Sequence, residues 1–299
     1  MALKIRGCGT ALVTPFTRDG TIDVDALRRL VQFQLREGIG FLVPCGTTGE
    51  TPTLEKEEYL GVIRVVVEEA GGKVPIVAGV GGNNTRHVCD MAKTVSPLGV
   101  QAILSVAPYY NKPTQEGLFQ HFKAIAESSD LPVILYNVPG RTSSNIEPAT
   151  VEKLSQVPNI IGIKEASGSI VQQMEVLRLV DAGFAVLSGD DAFTFPLMTL
   201  GGAGIISVVS NQIPGPMSRL ARLLLEGNYN EARKLNAQLL PLMQANFIET
   251  NPIPVKAGLA MMGMMEEVYR LPMIPMKPEN RAKLEKVMAA QGLLPSKTA

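Results

Sequence analysis

Eight short apolar segments, separated by longer stretches with helical periodicity, constrain the fold of this chain most strongly. The segments are Gly9 to Thr14, Gly38 to Cys45, Val74 to Gly81, Val100 to Pro108, Leu131 to Val138, Asn159 to Ala166, Phe184 to Gly189 and Ala203 to Ser210. Strands that are apolar on both faces and alternate with helices form a parallel sheet. Eight such units within about 200 residues predict a closed (β/α)8 TIM barrel, an α/β fold. A doubly wound open sheet is the structural alternative, because a sequence does not show whether its sheet closes.

The intervening and C-terminal segments have the spacing of amphipathic helices. Between Asp23 and Glu37, for example, Val24, Leu27 and Val31 share one face. After the eighth strand, helices are expected over Leu220 to Leu225, Tyr229 to Phe247, Pro254 to Met264 and Pro278 to Gln291, with breaks at Pro214, Pro252 and Pro275. We therefore predict a barrel over residues 1–213, which carries the active site, and a helical appendix over residues 214–299 packed on the barrel.

Charge and cysteine content limit the partners that this chain can have. Lys+Arg and Asp+Glu are both 28, so the formal net charge is zero and no basic field attracts nucleic acid or an anionic membrane. The three cysteines, Cys8, Cys45 and Cys89, form no CxxC pair and cannot all pair internally, which fits a reducing cytosol. The N-terminus lacks a signal-peptide core, and no apolar segment is long enough to span a bilayer. We expect a soluble, cytoplasmic protein with no nucleic-acid or membrane partner.

Two cofactor classes are not expected from the sequence. His87 and His121 are the only histidines, so a zinc site of standard ligands cannot be assembled, and solvated helix faces suit both residues. The segment Gly79 to Asn84 follows a strand but lacks the third glycine of the dinucleotide fingerprint, which favours close backbone packing over an NAD site.

Polar residues cluster where the predicted strands end, and barrel enzymes assemble their active sites at those ends. The five groups are Gly46-Thr47-Thr48-Gly49-Glu50, Pro108-Tyr109-Tyr110-Asn111, Tyr136-Asn137-Val138-Pro139-Gly140-Arg141, Lys164 and Ser188-Gly189-Asp190-Asp191. We expect all five groups to face one cavity.

Lys164 is the most informative residue among these groups, because it ends an otherwise apolar strand. A full charge is costly to bury, so either the side chain extends into solvent or the amine is held there for use. Desolvation lowers the pKa of a lysine and exposes a nucleophilic amine that can form a Schiff base with a carbonyl substrate.

Schiff-base chemistry on a keto acid also needs a proton relay and carboxylate anchors. Tyr136 ends the preceding strand, where its phenol could move protons, although packing at a barrel rim explains its position equally well. Thr47 and Thr48 lie between two glycines, where a tight turn can direct N–H groups and hydroxyls at a carboxylate. Arg141 offers a planar fork for a second carboxylate.

Six motifs, in chain order, resemble the dihydrodipicolinate synthase family over nearly the whole chain. They are Gly46-Thr47-Thr48-Gly49-Glu50, Tyr109-Tyr110-Asn111-Lys112-Pro113, Tyr136-Asn137-Val138-Pro139-Gly140-Arg141-Thr142, Ile161-Gly162-Ile163-Lys164-Glu165, Ser188-Gly189-Asp190-Asp191 and Asn251-Pro252-Ile253-Pro254-Val255-Lys256. The resemblance implies a lyase that condenses pyruvate with L-aspartate 4-semialdehyde, the first committed step toward diaminopimelate and lysine. It implies a homotetramer, built as a dimer of dimers, and no metal or organic cofactor.

The resemblance also implies roles in catalysis. The family's Schiff-base lysine matches Lys164, its relay tyrosine matches Tyr136 and its relay threonine matches Thr47. Tyr110 matches the tyrosine that each subunit of the family's tetramers lends to its neighbour's site.

The substrate-binding positions of the family match four further residues. Thr48 matches a residue that helps to hold the pyruvate carboxylate, and Gly189 and Ile206 match backbone positions that line the pyruvate pocket. Arg141 matches the residue that binds the carboxylate of the semialdehyde. Arg141 also weighs against an N-acetylneuraminate lyase-like aldolase, which generally lacks this anchor. The second alternative, a non-catalytic keto-acid-binding regulator, would be signalled by loss of Lys164 or Tyr136, and both are present.

Feedback inhibition by lysine is expected to be weak or absent. The regulated members of the family hold lysine in an interface pocket, and the carboxylate of that pocket is replaced here by His87. Lys56 and Tyr59 replace two histidines of the regulated pattern, so a permanent cation is added. Asn83 and Tyr109 are retained, which keeps the pocket without its charge complementarity.

Overall fold

A closed barrel of eight parallel strands forms the centre of the protein, as shown by a computed structural model that describes Leu3 and residues 5–294. The strands are β1 (Gly7–Ala11), β2 (Phe41–Val43), β3 (Val77–Gly79), β4 (Ala102–Val106), β5 (Val133–Asn137), β6 (Ile160–Glu165), β7 (Ala185–Ser188) and β8 (Gly204–Ser207). Their order in the sheet is β2-β1-β8-β7-β6-β5-β4-β3, and every pairing is parallel.

The first and last strands of this order, β2 and β3, meet and close the sheet. A parallel bridge joins Leu42 to Ile76, and the Leu42 N–H donates to the Pro75 carbonyl at 3.0 Å. The Gly79 N–H donates to the Pro44 carbonyl at 2.9 Å, and a Cβ at Gly79 would collide with the Cys45 carbonyl. The predicted TIM barrel is therefore confirmed, and the alternative of an open sheet is wrong.

The helices of the described residues surround this sheet and continue beyond it. They are α1 (Val24–Arg36), α2 (Lys56–Ala70), α3 (Thr85–Val95), α4 (Gln115–Ser128), α5 (Pro139–Thr142), α6 (Pro148–Ser155), α7 (Ile170–Leu179), α8 (Thr194–Thr199), α9 (Pro214–Leu225), α10 (Tyr229–Ala245), α11 (Ile253–Met261) and α12 (Pro278–Ala290). Several starts have clear local causes. The Asp23 carboxylate caps α1 by accepting from the Ala26 N–H at 2.8 Å, and Glu55 and Glu58 form a capping box on α2.

The predicted boundaries differ from the observed ones for reasons of backbone chemistry. The apolar segments run past the ends of the strands; after β2, for example, Cys45 adopts φ 55°, which ends the extended conformation. The helix predicted from Leu220 begins instead at Pro214. A proline at the first position of a helix gives up an N–H that would have no partner within the helix, so Pro214 starts α9 and does not break one.

Apolar side chains fill two separate layers. One layer lies between the strands and the helices, and the other fills the inside of the barrel. The inner layer includes Phe41, Val77, Ile134, Leu187 and Ile206. Because successive side chains of a strand point to opposite faces, each strand serves both layers, which explains its apolar character on both faces.

Among the described residues, three ion pairs join the C-terminal segment to the barrel, and one of them, between Arg18 and Glu266 at 3.2 Å, is exposed. Lys256 on α11 contacts Glu50 at 2.5 Å, and both side chains are buried. Arg270 makes a two-pronged contact with Glu58 on α2, with distances of 2.5 and 2.7 Å, and these hydrogen bonds lower the pKa of Glu58 to about 2. The helix α9 packs against β1, and α10 packs against α9 and α12. The division of the chain at residue 213 stays a prediction, and Met1, Ala2, Lys4 and residues 295–299 lie outside the described residues.

None of the helices in the described ranges has the length and apolar character needed to cross a membrane.

Candidate active site

Lys164 and Tyr136 lie side by side at the ends of two neighbouring strands. They are register partners of β6 and β5, and Lys164 Nζ lies 4.3 Å from the centroid of the Tyr136 ring. Only 5% of the Lys164 surface is exposed, so its side chain does not extend into solvent. The ring of Tyr136 belongs to the inner apolar layer of the barrel. A lysine amine is therefore held beside a phenol within the barrel, as Schiff-base chemistry requires.

The residues that follow this pair fix the ends of the same two strands. Asn137 Nδ2 donates to Glu165 Oε2 at 3.0 Å, and the Ser167 N–H donates to Glu165 Oε1 at 2.6 Å. The Asn137 side-chain oxygen accepts from the Ile146 N–H at 2.9 Å. Because side chains alternate along a strand, this polar pair lies on the face opposite the lysine and tyrosine. The pair of Asn137 and Glu165 holds β5 and β6 in register but does not belong to the site itself.

Gly189 leaves room for the stem of Lys164. A Cβ at position 189 would lie 3.1 Å from both Cγ and Cε of Lys164 and 2.7 Å from the Cβ of Ala166. Any side chain there would push the lysine out of place. Ile206, on β8, is fully buried in the inner layer of the barrel.

The turn after β2 forms a second part of the site. Thr47, Thr48 and Gly49 form one 3-10 turn, which ends where Glu50 adopts φ 52°. The hydroxyl of Thr48 is buried and accepts from Asn251 Nδ2 at 3.0 Å, whereas Thr47 is half-buried. The Gly49 carbonyl is held by the Thr14 hydroxyl at 2.7 Å. The turn is thus fixed from both sides.

Arg141 lies on the short helix α5, directly after β5, and its side chain is exposed. Arg141 Nη2 donates to the main-chain carbonyl of Asn251 at 3.2 Å. This contact uses one of its five N–H groups and leaves the rest of the planar fork for an anion.

A cavity of about 460 Å³ brings several of these residues together. Its wall includes Thr47, Tyr109, Tyr136, Arg141 and Thr142. Lys164 lies against the ring of Tyr136 rather than in the wall itself. Three of the five predicted polar groups therefore contribute to one cavity, and the lysine adjoins it.

The prediction that all five groups face one cavity is wrong for Asp191, in the group after β7. Asp191 is buried and accepts from the Ser207 hydroxyl at 2.5 Å and from the N–H groups of Val208 and Val209 at 3.1 and 3.0 Å. Three donors, one at the end of β8 and two in the turn after it, hold this carboxylate. Burial raises its pKa to about 6, against the opposing effect of those hydrogen bonds. Asp191 thus connects β7 to β8.

Tyr110 lies outside the cavity of its own chain, and His121 lies elsewhere than expected. Tyr110 is 89% exposed and does not line the cavity of its own chain. His121 was predicted on a solvated helix face, but it is buried, and that burial lowers its pKa to about 4. Its Nδ1 lies 2.8 Å from the Thr85 hydroxyl, and a neutral imidazole satisfies this contact.

Within the described ranges, no cluster of three or more His, Cys, Asp and Glu side chains could hold a metal ion.

No role is predicted from the sequence for Asn251, Glu50 or Lys256, although all three lie within the six motifs given above. Asn251 contacts both Thr48 and Arg141, and Lys256 pairs with Glu50 beside the threonine turn. The contacts of Asn251 with Thr48 and of Lys256 with Glu50 join positions 203 and 206 residues apart, and the contact of Asn251 with Arg141 joins positions 110 residues apart. Neither periodicity nor local spacing can indicate such a pairing.

Comparison with known proteins identifies relatives over almost the entire chain. The Dihydrodipicolinate synthetase family matches residues 4–291. A 4-hydroxy-tetrahydrodipicolinate synthase of Koribacter versatilis is 58% identical over 297 residues, which cover 99% of both chains.

Two solved structures have the same fold. A dihydrodipicolinate synthase from Thermotoga maritima has a TM-score of 0.95 and 43% identity, covering 97% of this chain and 99% of that one. A chloride-inhibited dihydrodipicolinate synthase from Acinetobacter baumannii, complexed with pyruvate, has a TM-score of 0.96 and 41% identity, covering 97% of this chain and 100% of that one.

Proposed function

The chain belongs to the dihydrodipicolinate synthetase family, and we propose that its active site condenses pyruvate with L-aspartate 4-semialdehyde to give 4-hydroxy-tetrahydrodipicolinate. The reaction makes it a lyase of lysine and diaminopimelate biosynthesis. The observation that carries this proposal is the amine of Lys164, which is buried 4.3 Å from the centre of the Tyr136 ring at the edge of the cavity. The pyruvate complex of the Acinetobacter relative supports pyruvate as the first substrate.

The proposed chemistry begins at Lys164. Its neutral amine attacks the ketone of pyruvate to give a carbinolamine, which loses water to form an imine. Loss of a methyl proton gives an enamine, whose carbon then attacks the aldehyde of the second substrate. Tyr136 and Thr47 both line the cavity and can pass the protons that these steps take up and release. The product leaves when its own amine displaces Lys164.

The anchors for the two carboxylates come from two different loops. The hydroxyl of Thr48 and the N–H groups at the start of its turn would hold pyruvate, with Gly189 and Ile206 shaping the pocket around it. Arg141, on the opposite loop, would bind the carboxylate of the semialdehyde.

An assay with the two proposed substrates tests this function directly. Purified enzyme should consume pyruvate and L-aspartate 4-semialdehyde in equal amounts, and neither should disappear without the other. The rival aldolase would instead consume pyruvate with an N-acetylated amino sugar. Activity with the sugar and none with the semialdehyde would overturn the assignment.

Arg141→Ala should raise KM for aspartate semialdehyde by about tenfold to a hundredfold, because a charged, two-pronged hydrogen bond to one carboxylate is lost. KM for pyruvate should change far less, because Thr48 and its turn remain. Steady-state assays that vary one substrate at saturation of the other measure both constants. Arg141→Lys is the matched control, since it keeps the charge without the planar fork and should recover part of the loss. Equal increases in both constants would contradict the role.

Tyr110 supports a proposal about assembly. It is a large aromatic residue, is 89% exposed and has φ 72°, a conformation that bulky residues seldom adopt away from functional sites. We propose that Tyr110 enters the active site of a neighbouring subunit in a homotetramer arranged as a dimer of dimers.

We also propose a cytoplasmic location, which the free cysteines Cys8, Cys45 and Cys89 support.

L-Lysine at millimolar concentration should change the rate by less than about twofold, because the pocket that would hold it lacks a fixed negative charge. Lys56, Tyr59 and His87 line one cavity of about 280 Å³. The hydroxyl of Tyr59 is buried and donates to the Gly79 carbonyl at 2.8 Å, and because it is uncharged it does not replace the missing carboxylate. Assays at saturating and at limiting pyruvate measure the effect.

A matched variant tests the charge argument for this pocket. His87→Glu combined with Lys56→His supplies the missing carboxylate and removes the added cation, so lysine should then inhibit. Strong inhibition of the unaltered enzyme, at either pyruvate concentration, would show that the argument is wrong.

A further inference from the structure

We propose that the side-chain amide of Asn251 sets the direction of the Thr48 hydroxyl, so that this hydroxyl donates its hydrogen bond to the carboxylate of bound pyruvate. The inference rests on the function proposed above and deepens it. Asn251 is a positioning residue in this account, because it acts on the substrate through Thr48.

The geometry of the pair fixes which group donates. Asn251 Nδ2 lies 3.0 Å from Thr48 Oγ1, and the two residues are only 4% and 2% exposed. An amide nitrogen has hydrogens but no lone pair that can accept, so the Thr48 proton cannot point back at it. Within the described part of the chain, no other hydrogen-bond partner of the Thr48 hydroxyl is present. Its proton is therefore available to a ligand, and an anionic oxygen is the strongest acceptor that the proposed reaction offers.

The orientation of the amide is consistent with its surroundings. Asn251 Oδ1 is buried and has no partner among the described residues. Turning the amide over would bury its N–H groups in that place, and orphaned N–H groups are rarer in proteins than under-satisfied oxygens. The orientation that leaves an oxygen unpaired is therefore favoured, and it is the one that donates to Thr48.

Asn251 is itself held firmly against the threonine turn. Five residues later, Lys256 Nζ contacts Glu50 at 2.5 Å, and Glu50 ends the turn that contains Thr48. The main-chain carbonyl of Asn251 accepts from Arg141 Nη2 at 3.2 Å. One residue of the C-terminal segment thus contacts both proposed carboxylate anchors, by its side chain on Thr48 and by its main chain on Arg141. Side-chain substitutions can separate the two contacts.

Asn251→Asp tests the inference with almost no change of shape. The substitution replaces the donor by acceptor oxygens, so the Thr48 hydroxyl turns toward the new carboxylate and away from pyruvate. The pyruvate concentration that half-saturates borohydride trapping should rise by about tenfold to a hundredfold, the effect of losing a hydrogen bond to a charged group. KM for aspartate semialdehyde should change little, because the Asn251 carbonyl still holds Arg141. Asn251→Ala leaves the hydroxyl free to rotate and should give a smaller rise, of about threefold to tenfold.

A Thr48→Val background separates this role from a merely structural one. Without the hydroxyl, Asn251→Ala should cause no further rise in the half-saturating pyruvate concentration. A further increase of the same size with Asn251→Ala in this background, or an unchanged value for both variants in the normal background, would overturn the inference. Thermal melting monitors the fold, and if Asn251→Asp unfolds the protein, the Asn251→Ala pair decides the result. Failure to trap the unaltered enzyme at Lys164 would instead refute the proposed function, so the two failures are distinguishable.

Discussion

Lys164→Ala is expected to abolish pyruvate-dependent trapping by borohydride and to reduce turnover by about a thousandfold or more, because no other group supplies the amine. The other lysine that is buried in the described part of the chain, Lys256, is paired with Glu50 and lies 4.3 Å from the ring centroid of Phe16, so it cannot substitute. Single-turnover and steady-state assays measure the loss. The fold should survive, since the substitution leaves the hydrogen bonds of β6 in place.

Lys164→Arg serves as the control for charge. An arginine keeps the positive charge but stays protonated, so it cannot attack a ketone. We expect it to be as inactive as Lys164→Ala. Substantial turnover in either variant would show that Lys164 provides only charge or packing.

Tyr136→Phe should reduce turnover by about a hundredfold to ten-thousandfold, the usual range for a positioned acid–base group. The phenyl ring remains in the inner layer and can still lie beside the Lys164 amine, so the loss measures the hydroxyl alone. The rate of imine formation, followed by borohydride trapping at short times, should fall in parallel, because loss of water from the carbinolamine needs a proton.

A second phenylalanine variant controls for loss of a buried hydroxyl. Tyr59→Phe removes the bond to the Gly79 carbonyl, which lies outside the proposed proton path. Its turnover should remain within a few-fold of the unaltered enzyme, about what one structural hydrogen bond is worth. Unchanged turnover in Tyr136→Phe would demote Tyr136 to a packing role.

Local signals in the sequence were sufficient to predict the architecture. Each strand serves two apolar layers, so its run of apolar residues is distinct from the helical periodicity around it. The boundaries of the strands were harder to predict than their positions, because they depend on turns of the backbone. After β2, for example, Cys45 adopts a left-handed conformation that ends the extended segment. The predicted break at Pro214 is wrong, because a proline can begin a helix as well as break one.

The site was predictable where its chemistry is carried by strand ends. Lys164 and Tyr136 follow that rule, and their register on β6 and β5 places them together. Asp191 also follows a strand but is buried outside the cavity, because three donors at the end of β8 and in the turn after it hold its carboxylate. The role of Asn251 could not be predicted from the neighbouring sequence, since its partner Thr48 is 203 positions away.

The central claim is that Lys164 forms an imine with pyruvate, and one measurement tests it most directly. The unaltered enzyme is incubated with pyruvate, reduced with borohydride and digested, and the modified residue is located by mass spectrometry. We predict one pyruvate-derived group on Lys164, formed only when pyruvate and borohydride are both present. Modification of a different lysine, or none under conditions in which the enzyme turns over, would contradict the account.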